Sequence, residues 1–216
     1  MEPAAHAQDQ EFRSPGELIR PVLAHLETLV GRVTPDRFDR PTPCPDFTVG
    51  QLRAHILGWM DYYGRAFEDP AGAQERPDPN SYAAPDDPRE GAGVVASAAS
   101  RISAAVDSGV ADGPVKVVKS SMPGGGALTM AMWEALVHGS DLAQATGQPW
   151  DPPEEAAQVV LAFGQNMLTD EYRGAGKDFG HQVPVPDDAP ALDRLIGFSG
   201  RDPHWTPPGR LGPSSH

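Results

Sequence analysis

The chain has 216 residues, 39% of them hydrophobic and 7% aromatic, enough for one domain of ordinary size with a real core. Its formal charge of −13 disfavours nucleic-acid backbones and anionic membrane surfaces, since both are bound through Lys and Arg that displace counterions. A single cysteine, Cys44, excludes an internal disulfide framework, no uninterrupted apolar run approaches a membrane span, and the N-terminal stretch lacks the basic and apolar regions of a secretion signal. A soluble, cytoplasmic protein is expected, with neither nucleic acid nor membrane as partner.

Residues 1–13 are polar and expected to be disordered. A first helix should begin after Ser14, where Ser caps, Pro15 suits the first helical position and Glu17 closes a capping box. Its apolar face is Leu18, Ile19, Val22, Leu23, Leu26 and Leu29, with Gly31 as the stop and His25 off the stripe at the surface. Prolines 41, 43 and 45 forbid helix in the next stretch. Thr48 and Gln51 then form a second capping box, predicting a helix over 49–68 with Val49, Leu52, Ile56, Trp59 and Tyr63 inward. His55 lies on this inward side, either as a hydrogen-bonded core histidine or as a ligand.

Residues 69–89 show no period and make a connection longer than antiparallel neighbours need, as a crossover between parallel helices would require. A third helix over about 87–108 presents Val94, Val95, Ala98, Ile102, Ala105 and Val106. A short extended arm follows around Val115–Val118, and Gly124–Gly126 are expected to turn the chain sharply into the next helix. No GK[ST] follows the triple glycine, so it is no phosphate loop.

The most apolar stretch is 127–143, whose ionisable members Glu134, His138 and Asp141 stand at i, i+4 and i+7 on one stripe. Its surroundings are apolar on nearly every side, as in a helix enclosed by others, and an unpaired buried carboxylate there would cost several kcal/mol. The pair Glu134 and His138 fits either a simple side-chain contact or two metal ligands at helical spacing. Gly147 is the expected left-handed stop. A further helix, capped around Asp151, should reach about Tyr172, with Ala156, Val159, Val160, Phe163 and Met167 as its apolar face. A short helix near 191–198 and a disordered tail from 206 complete the chain.

The expected fold is all-α: a four-helix bundle with a long crossover between helices two and three and a C-terminal extension, occupying residues 14–205. Helix two and the central helix together offer His55, Glu134 and His138, a His2Glu set with an open fourth position, the pattern of catalytic rather than structural zinc. Ni2+, Fe2+ or Mn2+ would accept the same donors. Asp141 can orient a ligand imidazole as an outer acceptor or serve a surface or capping role. Trp59, Tyr62, Tyr63 and Trp133 are either pocket walls or core. Cys44, just before the second helix, would have its pKa lowered by a helix N-terminus but is read as structural.

The segments TPCPDFTVGQLRAHILGW and MWEALVHGSDLAQATGQPW resemble the two signature segments of the DinB-like superfamily, in its mycothiol-dependent maleylpyruvate isomerase branch. FGHQVPVPDDAPALDRLIGFSGRDPHW resembles the ending of an actinobacterial group of metal-binding proteins within that branch, and the likeness runs over residues 14–205. The resemblance implies that His55, Glu134 and His138 bind a divalent metal, most simply Zn2+. It also implies that the metal binds the sulfur of mycothiol as a thiolate, which adds to an electrophilic small molecule.

The isomerase carries an additional C-terminal domain, and this chain is expected to be too short for one, which counts against isomerisation of maleylpyruvate itself but not against metal and thiol use, as S-transferase or isomerase. Two other functions stay open: a hydrolase using metal-activated water, and a non-enzymatic small-molecule binder on the same bundle. His181 and His204 are read as ordinary loop residues. The oligomeric state is left open, a homodimer included.

Overall fold

The computed structural model describes residues 13–208 apart from 175 and 178. The expected disordered ends, 1–13 and 206–216, lie outside the described residues except for 13 and 206–208. Among the described residues the chain is mostly helical: α1 (Pro15–Val30), α2 (Val49–Glu68), α3 (Pro88–Asp107), α4 (Gly124–Thr146), α5 (Glu154–Met167) and α6 (Ala191–Phe198), with one hairpin of β1 (Pro114–Val117) and β2 (Ser120–Pro123) before α4. No helix among the described residues is long and apolar enough to cross a membrane.

Local chemistry sets the helix starts. Both capping boxes form: the Ser14 hydroxyl accepts from the Glu17 N–H while the Glu17 carboxylate accepts from the Ser14 N–H, and Thr48 and Gln51 repeat the exchange at α2. Asp87 accepts from the Arg89 N–H to start α3, and Gly147 at φ 68° ends α4 in the left-handed region.

α1 packs on α3 and α4, and α2 packs on α3 and α4. Close contacts fix their directions. Gly16 lies on Val106 and Gly31 on Ala92, so α1 and α3 are antiparallel. Gly91 lies on the Arg53 guanidinium, Gly64 on Ala98, and Arg101 pairs with Asp61 and Glu68 at 3.2 and 3.4 Å, so α2 and α3 run parallel. The long connection between them therefore has to return along α2. It passes so close to Gly58 that a Cβ there would stand 2.8 Å from Tyr82 Cβ. Buried Arg53 holds its far end, donating to the carbonyls of Pro85 and Asp87 at 2.6 and 3.1 Å.

α4 is the central element, with 17 of its 23 residues buried. Besides α1 and α2 it meets α5 and α6, which cover its outer side. The Glu154 carboxylate at the start of α5 accepts from the Ala191 N–H at the start of α6, joining the two N-termini.

Three expectations are corrected. The extended arm is half of an antiparallel hairpin in register Val115↔Met122 and Val117↔Ser120, turned by Val118 at φ 53°. Gly124–Gly126 form the first turn of α4 instead of a bend before it. Gly124 is needed there because a Cβ would meet the Ala111 and Gly113 backbone at 2.8 and 2.9 Å. α5 stops at Met167, since Leu168 turns extended (φ −97°, ψ 103°), and 170–172 form a separate 3-10 turn; Pro153 precedes its first turn with no side-chain cap, so Asp151 does not cap it.

Candidate metal centre

His55 comes from the first half of α2, and Glu134 and His138 from successive turns of α4. The antiparallel packing of these two helices brings the three side chains together. Their donor atoms all lie within 4.8 Å of one another, and among the described residues this is the one such group. Glu134 Oε2 stands 3.6 Å from His55 Nε2 and 3.5 Å from His138 Nε2. These separations are too long for good hydrogen bonds. They are close to the roughly 3.3–3.4 Å between neighbouring donors around a tetrahedral ion with ligands at about 2.0–2.1 Å.

Glu134 Oε2 is closed off from solvent and has no hydrogen-bond partner among the described residues, although the side chain as a whole is 33% exposed. A buried carboxylate oxygen left without a donor is costly, and a cation between it and the two imidazoles would remove that cost. The donor set thus fits a divalent ion. Burial pushes the Glu134 carboxyl up, but His55, His138 and Arg201 outweigh it and hold the group below the usual carboxylate range.

Asp141 is 1% exposed and its Oδ2 lies 3.2 Å from His138 Nδ1. An ionised carboxylate only accepts, so this bond puts the proton on Nδ1 and leaves the Nε2 lone pair toward Glu134 and His55. The same Oδ2 accepts from Arg201 Nε at 2.9 Å. Arg201 also donates from Nη1 to the Ser199 carbonyl at 2.9 Å and reaches Cys44 Sγ from Nη2 at 3.9 Å. Burial opposes the charge on Arg201, but Asp141, with Cys44 and Glu134, more than restores it. Sequence reading missed Arg201, because nothing local marks a guanidinium whose partner is 60 residues away. The structural signal is Gly200 (φ 83°), packed backbone to backbone on Gly180, which delivers the next residue inward.

The cluster opens into a cavity of about 680 Å³. Trp59 and Trp133 line it, together with Phe47, Phe163 and Phe179. Tyr63 is placed behind the wall instead, 1% exposed with its ring 5.8 Å from Trp59, and Tyr62 is likewise core, its hydroxyl accepting from the Val118 N–H at 2.6 Å. His181 and His204 are exposed and stand outside the cluster. Cys44 is 9% exposed on the cavity wall, and burial pushes its thiol up despite Arg201, so the helix N-terminus does not produce a reactive thiolate.

The fold and site define a helical protein with a three-donor pocket suited to a divalent ion. Residues 19–143 match the family described as the mycothiol maleylpyruvate isomerase N-terminal domain, a DinB-like family, and the chain belongs to it. It is similar to two uncharacterised proteins of Mycobacterium tuberculosis, from strains CDC 1551 / Oshkosh and ATCC 25618 / H37Rv. Each is 29% identical over 191 residues, covering 84% of this chain and 97% of the relative. No solved structure matches the chain.

Proposed function

We propose that the protein binds a divalent metal through His55, Glu134 and His138 and activates a low-molecular-weight thiol, mycothiol, for addition to an electrophilic small molecule, as an S-transferase or isomerase. The carrier of this chemistry is a DinB-like four-helix bundle of α1–α4, completed by the C-terminal extension and acting in the cytoplasm. Family membership supports the thiol. The observation that carries the reading is the three-donor cluster on the wall of an open cavity, with one buried carboxylate oxygen that has no donor among the described residues.

A divalent ion held there, zinc in the first instance, supplies a Lewis acid that keeps a bound thiol deprotonated at neutral pH. Asp141 keeps His138 in the tautomer that ligates, and Arg201 holds Asp141 in place. Trp59 and Trp133 shield the reacting carbon from water. The sulfur forms a bond to that carbon, the displaced electron pair moves into the acceptor's conjugated system, and a proton from solvent completes the adduct. For isomerisation the carbon–sulfur bond breaks again after rotation and the proton is returned.

The test is cobalt substitution. Adding mycothiol to the Co2+ protein should produce a sulfur-to-cobalt charge-transfer band in the near ultraviolet, absent in Glu134→Gln. A cobalt-loaded protein whose spectrum ignores mycothiol would sink the proposal.

A further inference from the structure

The cavity's outer side is built from residues beyond 143, where the family match ends, among them Phe163, Leu168, Phe179 and Arg201. The metal donors thus lie within the shared family segment, whereas part of the surface meeting the second ligand belongs to the rest of the chain. Its chemistry is aromatic. Trp133 stands at ring-centroid distances of 6.5 Å from Phe163 and 5.3 Å from Phe179, and its Nε1–H is already given to Ser199 Oγ at 3.0 Å. The indole therefore offers the cavity its ring and not its donor. Across α2, Phe47 and Trp59 flank His55 at 5.0 and 6.3 Å.

The charges on the walls oppose a dianion. Asp46 and Glu134 are acidic. The Arg201 charge is already paired with buried Asp141 at 2.9 Å, and the same side chain donates to the Ser199 carbonyl and reaches Cys44 Sγ at 3.9 Å. Lys177 is the other basic side chain on the wall, and it sits on an exposed residue. A dicarboxylate such as maleylpyruvate would need two cationic anchors not already matched by a carboxylate, while the charge of a bound metal is taken up by the thiolate.

We propose that the second ligand is a neutral, planar, conjugated molecule of roughly bicyclic size, held between the aromatic side chains, and not a dicarboxylate. Its role as the electrophile rests on the thiol-activating function above. Flat π-systems gain from offset or edge contacts with Trp and Phe, and a cavity of about 680 Å³ lies within the range of small-molecule sites.

The experiment is calorimetric titration of the zinc-loaded full chain with 2-naphthol, a neutral planar probe unreactive toward thiols, and with maleate. 2-Naphthol should bind at least tenfold more tightly than maleate. Phe163→Ala and Phe179→Ala, both at half-buried positions, should each weaken 2-naphthol about five- to tenfold without altering metal content, and Lys177→Ala should leave it unchanged. Tighter binding of maleate, or 2-naphthol binding indifferent to both phenylalanine substitutions, would overturn the proposal. Glu134→Gln should keep 2-naphthol binding while losing the cobalt–thiol band. Loss of the band in wild type with 2-naphthol still bound would remove the thiol function alone, and the converse would remove the aromatic-ligand proposal alone.

Discussion

The Oδ2 atom of Asp141 lies 3.2 Å from Nδ1 of His138, so one side chain of the donor cluster has its tautomer set by a carboxylate three residues along the same helix. Removing the charge while keeping the shape should weaken metal binding without abolishing it. Asp141→Asn is expected to lower zinc affinity by roughly 10–100-fold. Competition against a chromophoric chelator reads this directly, and an unchanged affinity would show that the contact does not support the ligand.

Arg201 and Asp141 form a buried pair, with side chains 12% and 1% exposed. Arg201→Met leaves Asp141 without its cation and should destabilise the fold by about 3–5 kcal/mol in denaturant titration. Adding Asp141→Leu to that variant should restore much of the loss, since the penalty comes from the stranded charge. If Arg201→Met unfolds at the wild-type midpoint, the pair carries no stability.

Metal content is the plainest check on the cluster. Protein purified without chelator should carry about one divalent ion per chain, lost in His55→Ala, Glu134→Gln and His138→Ala alike. Retention in His55→Ala would mean that α2 supplies no ligand.

Burial raises the Cys44 thiol above its ordinary value. A raised thiol pKa means less thiolate at any given pH. Iodoacetamide alkylation of the folded chain at pH 7 should therefore be slower than that of the unfolded chain and keep rising as pH passes about 9. Cys44→Ser should keep its metal. Fast labelling at neutral pH would contradict the buried setting.

Two helix glycines should respond oppositely to alanine. A Cβ on Gly58 would press on Tyr82 and on the Pro79 carbonyl carbon at 3.0 Å, so Gly58→Ala should cost about 1–3 kcal/mol by displacing the crossover. Gly93, exposed in α3, has nothing within 4 Å of such a Cβ, and Gly93→Ala should stabilise by about 1 kcal/mol. Thermal melts of both variants decide it.

What the sequence discloses here is what its local chemistry determines. Ser14–Glu17 and Thr48–Gln51 announce two helix starts because each cap is closed within four residues. The donor trio is readable because Glu134 and His138 share a helical face and His55 sits among inward apolar residues. The hairpin escapes notice because its turn is made by Val118 with no glycine or asparagine to mark it. The triple glycine misleads because the constraint on Gly124 is the backbone of Ala111 and Gly113, not bending. Arg201 and the aromatic residues Phe163 and Phe179 acquire their roles only through α4, from which they are distant along the chain.

The cavity wall draws on residues from Cys44 to Arg201, so no short piece of the chain contains the site. Long-range closure of this kind is slow relative to helix formation, and Asp141 acquires its guanidinium partner only once the C-terminal segment docks. During synthesis, α1–α4 would emerge with that carboxylate still hydrated and His138 unsteadied. Completion of the cavity would then be a late event, tied to docking of the C-terminal segment, and anything bound against that segment would favour the fully assembled form over every partial one.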